Sequence, residues 1–253
     1  MSDLVTLDIA DGLGTMTLRR PDARNALSLE LLGAMLVRFN ECKAEDSCRV
    51  LIITGEGKAF CAGMDLKAVT SDEGLAAGLH GKLLHALASV TLALRTLPAV
   101  TLAKINGAAI GGGCGLACAC DLAITHDDSK MGFPEVDLGV CPAVVAPWLV
   151  KKIGAGRARA VLLRGGLMSG HDAKACGIVD VSVSTRDELD ATALSLAMRL
   201  AGAGPVAMRA TKGLLNRLDG SEDEAVVRRA ADLSAQVLAM PQTQATLRAK
   251  LGL

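Results

Sequence analysis

Four glycines, Gly111, Gly112, Gly113 and Gly115, bring bare backbone to one place in the apolar stretch Ile105-Asn-Gly-Ala-Ala-Ile-Gly-Gly-Gly-Cys-Gly-Leu116. Glycine permits backbone angles and close approaches that a side chain blocks. A loop of this kind running into a helix start offers unpaired N–H groups to an anion or a developing oxyanion. A second glycine turn, Phe60-Cys-Ala-Gly-Met-Asp-Leu66, follows an apolar run over residues 50–54. Two N–H groups from two separate turns suffice for an oxyanion hole. A carboxylate, Glu135, stands in an apolar setting twenty positions beyond Gly115. Together these parts suit chemistry on a thioester carbonyl.

Each part has a plainer reading. The glycine stretch could be a dinucleotide fingerprint, but Gly111-x-Gly113-x-x-Leu116 lacks the third glycine of G-x-G-x-x-G. It could also be a loop that only lets a helix pack closely. Glu135, in Met131-Gly-Phe-Pro-Glu-Val-Asp-Leu-Gly139, reads either as an acid/base group or as a helix cap or turn residue. Burial would raise its pKa towards neutrality and equip it to pass a proton. Asp137 is its nearest rival. No G-x-S-x-G motif supplies a serine nucleophile, and nothing local supports pairing Cys61 or Cys114 with His126. Asp65 reads as a helix cap or a ligand contact.

These residues need a scaffold to hold them. A chain of 253 residues, 51% hydrophobic and 21% charged, can bury one large core with or without an appendage. Lys and Arg together number 27, as do Asp and Glu, so no basic excess points to nucleic acid. Aromatics make up 2% and tyrosine is absent, which disfavours base stacking. The longest uncharged apolar run, residues 105–120, is shorter than the ~20 residues needed to span a bilayer. Residues 1–5 read as the start of a strand, not a leader, so a cytoplasmic protein without a membrane partner is expected. The eight cysteines lack Cys-x-x-Cys pairs and the four histidines complete no zinc spacing. Buried thiols and no metal site are expected.

Residues 4–10 and 15–19 flank Asp11-Gly12, a hairpin signal. Ser28 opens a helix to about residue 46, with Leu29, Leu32, Leu36 and Phe39 at helical spacing. Strands are expected over 49–54 and 100–105, a mobile loop over 67–79, and a helix over 80–97 that stops at Pro98. Short strands follow at 122–125 and 130–132. Beyond about 143 the pattern is helical, with 178–183 strand-like. Thr185-x-x-Glu188 and Ser221-x-x-Glu224 read as capping boxes, and Gly204-Pro205 separates two helices. A strand–helix core over 1–183 and a helical C-terminal region over 184–253 are expected.

The motif set resembles the crotonase (enoyl-CoA hydratase/isomerase) superfamily over essentially the whole chain. The resemblance rests on Arg20-Pro-Asp-Ala-Arg-Asn-Ala-Leu27, Ala59-Phe-Cys-Ala-Gly-Met-Asp-Leu66, Asn106-Gly-x-x-x-Gly-Gly-Gly-Cys114 continuing to Cys120-Asp121, Pro134-Glu135-Val-x-Leu-Gly139 and Met208-Arg-Ala-Thr-Lys212. It implies an α/β fold, the crotonase β-β-α spiral core, with C-terminal helices that build trimers, often paired into hexamers. It implies an acyl-CoA substrate, coenzyme A being part of the thioester and no separate cofactor. The N–H groups of Met64 and Gly112 would form the oxyanion hole, and Glu135 would handle the proton at the α-carbon. The backbone around Arg24, Ala26, Ala62, Asp65 and Leu66 would cradle coenzyme A.

The stretch from Glu135 to Trp148, and Gly115-Leu116, are similar to a methylglutaconyl-CoA hydratase-like branch. A two-glutamate hydratase carries its water-activating base where Gly115 stands. Hydration of an enoyl thioester ranks first. Δ3,Δ2 isomerisation by Glu135 alone, or acyl-CoA binding without catalysis, are the alternatives. The extra aspartate of a dienoyl isomerase would fall at Ala143. If the missing base is the limitation, Gly115→Glu is expected to raise hydration.

Overall fold

A computed structural model describes residues 4–252. The reading of the chain's first three residues therefore lies outside it. The first strands, β1 (Val5–Ala10) and β2 (Leu13–Leu18), form the expected hairpin, with Ala10 opposite Leu13. Asp11 and Gly12 both take positive φ, 52° and 84°, the signature of a two-residue primed turn. Helix α1 (Leu29–Ala44) starts at Ser28, whose side chain accepts the Leu31 N–H. β3 (Val50–Gly55) and β4 (Ala59–Cys61) follow.

The expected loop over 67–79 is instead two short helices, α2 (Leu66–Thr70) and α3 (Asp72–Ala76). Asp65 and Ser71 cap them by accepting the Ala68 and Gly74 N–H groups, so capping outweighs the glycines. α4 (Leu79–Arg95) ends before Pro98 as expected.

β5 (Val100–Ile105) leads to β6 (Ala108–Ile110), a strand hidden inside the glycine-rich run. Only Gly111 is then a turn. Gly112, Gly113 and Gly115 already belong to α5 (Gly112–Ala119). β7 (Leu122–His126) and β8 (Lys130–Gly132) precede α6 (Ala146–Ile153), α7 (Ala155–Arg164), the unanticipated β9 (Leu167–Ser169), α8 (Gly170–Cys176) and β10 (Val181–Val183). The remaining helices are α9 (Arg186–Ala201), α10 (Pro205–Leu218), α11 (Glu224–Ala239) and α12 (Pro241–Leu251). Thr185 caps α9 as expected. Asp223, not Ser221, caps α11; Ser221 is buried and its hydroxyl accepts from Arg95 instead.

Two sheets result. One runs β1-β2-β3-β5-β7-β10 and the other β4-β6-β8-β9. In the second, β4, β6 and β8 are parallel neighbours, so their C-terminal ends open on one side. Parallel strands commonly gather functional loops at that end. The main apolar core includes Phe39, Phe60, Leu87, Leu116, Phe133 and Trp148. A second cluster joins Val50, Ile52, Leu102 and Ile124 of the first sheet to Leu189, Ala193 and Ala197 of α9. The C-terminal helices thus find apolar partners within the chain itself. Among the described residues no single helix is long and apolar enough to cross a membrane.

Candidate active site

Three successive turns at the ends of β4, β6 and β8 carry the site. The β4 turn contains Ala62–Asp65, the β6 turn is Gly111 leading into Gly112 of α5, and the β8 turn contains Phe133–Glu135. Gly63, at φ 86°, makes the first two meet: a methyl there would lie 2.6 Å from the Ile110 oxygen and 3.5 Å from the Gly112 nitrogen. Leu27 locks the β4 turn from outside. Its N–H donates to Gly63 O (2.8 Å) and its carbonyl accepts from Asp65 N (3.1 Å). That parallel pairing leaves the intervening Met64 N–H without a backbone acceptor. The Gly112 N–H, on the first turn of α5, has none either. Two N–H groups without backbone acceptors thus stand on abutting turns.

Gly111 brings the carboxyl to them. At φ 53° it has no side chain, and a methyl there would sit 2.8 Å from Glu135 Oε1. Glu135 begins the 3₁₀ turn Val136–Leu138, and its side chain makes no capping bond. The cap reading therefore falls away. The residue as a whole is partly accessible, but its Oε2 is sealed and unpartnered. Burial pushes the carboxyl up to about 7. Asp137 instead accepts the Gly166 N–H at 2.7 Å, away from this cleft.

The cleft, about 80 Å³, is bounded by Met64, Gly112, Glu135, Leu84 and Leu87 of α4, Val144 and Leu238 of α11. Ser234 of α11 fixes its far wall. The Ser234 hydroxyl donates to Cys141 O at 3.0 Å and accepts the Val144 N–H at 3.2 Å. Ser234 and Leu238 lie about a hundred positions from Glu135, and no local motif marks them. Cys61 is held up to about 12 by burial, and Cys114 well above its ordinary range by its bond with Cys118 and by burial. Both remain protonated thiols, and nothing joins either to His126. All eight cysteines are free. No group of three or more His, Cys, Asp or Glu among the described residues could hold a metal.

The residues expected to hold coenzyme A are brought together at the edge of the same turn. Ala62 N donates to Arg24 O at 3.0 Å, which lays Arg24 and Ala26 alongside Ala62, Asp65 and Leu66. Arg24 is exposed, at φ 50°. The Asp65 carboxylate is engaged in capping α2 and in an ion pair with Arg20 at 3.3 Å. Asn25, absent from the sequence-based site, organises this corner. Fully buried at φ 55°, it accepts the Arg20 N–H (2.8 Å) and donates to Ala59 O (2.9 Å) and Glu56 O (3.1 Å). Asparagine's tolerance of positive φ was the available signal. Asn25→Ala is expected to cost about 2–4 kcal/mol in chemical denaturation, because one buried and one partly buried carbonyl lose their donor.

Gly115 overturns one expectation. A Cβ there would lie 2.3 Å from Val145 Cγ1 and 2.8 Å from Val145 Cβ. No vacant slot awaits a second carboxylate; Val145 fills it. Gly115→Glu is now expected to abolish or strongly destabilise folding, not to raise hydration. Even Gly115→Ala should cost about 1–3 kcal/mol by overpacking, measured by urea denaturation. Pairing it with Val145→Ala should recover part of that loss.

Residues 8–249 match the family described as enoyl-CoA hydratase/isomerase. A putative enoyl-CoA hydratase of Thermus thermophilus is 36% identical over 222 residues, covering 87% of each chain. The mitochondrial methylglutaconyl-CoA hydratase of Mus musculus is 33% identical over 215 residues, 81% of this chain and 66% of that one. The crystal structure of an enoyl-CoA hydratase/isomerase from Xanthobacter autotrophicus superposes with a TM-score of 0.87 at 27% identity, covering 100% of this chain and 97% of the other.

Proposed function

The chain belongs to the enoyl-CoA hydratase/isomerase family, and within it we propose that Glu135 is the single proton-transfer group of an enoyl-CoA hydratase. The observation that carries this reading is the placement of one half-sealed carboxyl, raised to about 7, against the turn that bears Gly112. The thioester oxygen would accept from the Met64 and Gly112 N–H groups, which stabilise negative charge as the enolate forms. Water would add through oxygen to C3. Glu135 would take one proton from that water and deliver it to C2, so one carboxylate both activates the nucleophile and quenches the enolate.

Arg24, Ala26, Ala62, Asp65 and Leu66 would line the coenzyme A path, with Arg24 free to meet phosphate and Asp65 shaping the turn. The thioester itself would supply the coenzyme A, with no further cofactor. The C-terminal region, 184–253, would assemble trimers or pairs of trimers in the cytoplasm; exposed Val206 and Leu218 suit such contacts.

One observation favours a second reading, Δ3,Δ2 isomerisation. Val145 closes the position of a second base, and a lone carboxylate can carry a proton between C4 and C2 without water. Purified protein assayed with crotonyl-CoA for hydration and with 3-hexenoyl-CoA for double-bond migration decides. Hydration at least tenfold faster than migration is expected. The reverse order would make isomerisation the function, and neither activity would leave an acyl-CoA-binding protein.

A further inference from the structure

We propose that the site selects short, uncharged acyl chains and excludes those ending in a carboxylate; this specificity rests on the acyl-CoA reading above. Apart from Glu135 and the Cys141 thiol, the described residues lining the cleft carry no ionisable side chain, and no hydroxyl or amide side chain either. The wall facing the reacting carbons is aliphatic. Leu87 adjoins Gly112, with its Cδ2 3.2 Å from where a methyl on Gly112 would lie. Leu84 stands almost one helical turn earlier on α4, further from that glycine. Leu238, fully buried, meets it from α11. A carboxylate driven into this wall would lose its hydration and find no side-chain donor or cation among the lining residues. The one charge it would meet is Glu135, of the same sign.

Length is limited by the same wall. A cavity of about 80 Å³ holds roughly five water-sized groups, which fits an acyl chain of about four to six carbons. Ser234 prevents this wall from retreating, since it ties the Cys141–Val144 backbone to α11.

The test uses saturated thioesters, which bind without reacting, so the outcome does not depend on turnover. Calorimetry should show pentanoyl-CoA binding at least about 100-fold tighter than glutaryl-CoA, which has the same carbon count but a terminal carboxylate. Binding within about threefold would overturn the proposal. In parallel, kcat/KM should be at least tenfold higher for crotonyl-CoA than for 2-decenoyl-CoA; equal values would overturn the length limit. Leu84→Ala should move that ratio about tenfold or more towards the longer chain, the scale of adding room for a methylene or two. Leu84→Val provides the milder step should the alanine variant fail to fold. An unshifted ratio in a folded variant would remove Leu84 from the far wall. If no enoyl thioester turns over, the catalytic reading fails while the calorimetric ratio still judges the fit.

Discussion

Glu135→Gln is expected to lower turnover by about 10²–10⁴-fold, the range of a lost general acid–base group, while leaving coenzyme A ester binding within a few-fold. The amide keeps the shape of the side chain and cannot exchange a proton with C2. The wild-type pH profile should report the same group. Hydration needs the carboxylate form to accept the water proton, so kcat/KM should rise with pH through about 7 and then level. The variant's residual activity should lack that inflection.

Stability should move the opposite way. A carboxyl raised from 4.5 to about 7 in the folded protein favours folding only while it is protonated. That contribution is complete below pH 4.5 and is lost as pH rises through 7, a difference of about 3 kcal/mol. Above pH 7 the folded protein holds a poorly solvated carboxylate. Glu135→Gln removes this penalty, so its Tm should exceed the wild-type value at pH 8 and match it near pH 4. Reduced activity with increased stability at high pH is the signature of a strained functional group. A structural carboxylate would lose both.

The second large effect is expected at Gly112, where the proposed oxyanion donor is a backbone N–H. Gly112→Pro deletes the N–H and should cost about 10²–10³-fold in kcat, as removal of one oxyanion donor does. Proline suits the first position of a helix, so α5 need not unravel. Any side chain here would press on Leu27 Cδ1, 2.9 Å from the new Cβ. Gly112→Ala measures that cost by itself, because it adds the carbon and keeps the donor. The loss attributable to the N–H is the ratio of the two variants' kcat values. Met64→Ala, which keeps its N–H, should change kcat by no more than a few-fold.

The parts of this site that sequence exposed are those written in local backbone chemistry. Asp11-Gly12, Ser28, Pro98 and Thr185 each mark a turn or helix end by a mechanism acting within a few residues. The glycines at 63, 111–113 and 115 announced close backbone approaches, and the motif resemblance assigned their partners. What sequence did not expose depends on contacts between distant segments. Val145 lies thirty positions from Gly115, and only their packing shows that the second base has no room. Ser234 and Leu238 face Val144 across about ninety intervening residues. Periodicity also misread 67–79, where Asp65 and Ser71 supply caps that make helices of a stretch containing Gly74 and Gly78.

One carboxylate is expected to transfer the proton at C2 while two backbone amides hold the enolate. Crotonyl-CoA incubated in D2O, with the product examined by NMR, reports that transfer atom by atom. The wild-type protein should yield 3-hydroxybutyryl-CoA carrying a single deuterium at C2. Glu135→Gln should yield almost none over the same interval despite binding the ester. Equal rates of deuterium incorporation by the two proteins would contradict the account.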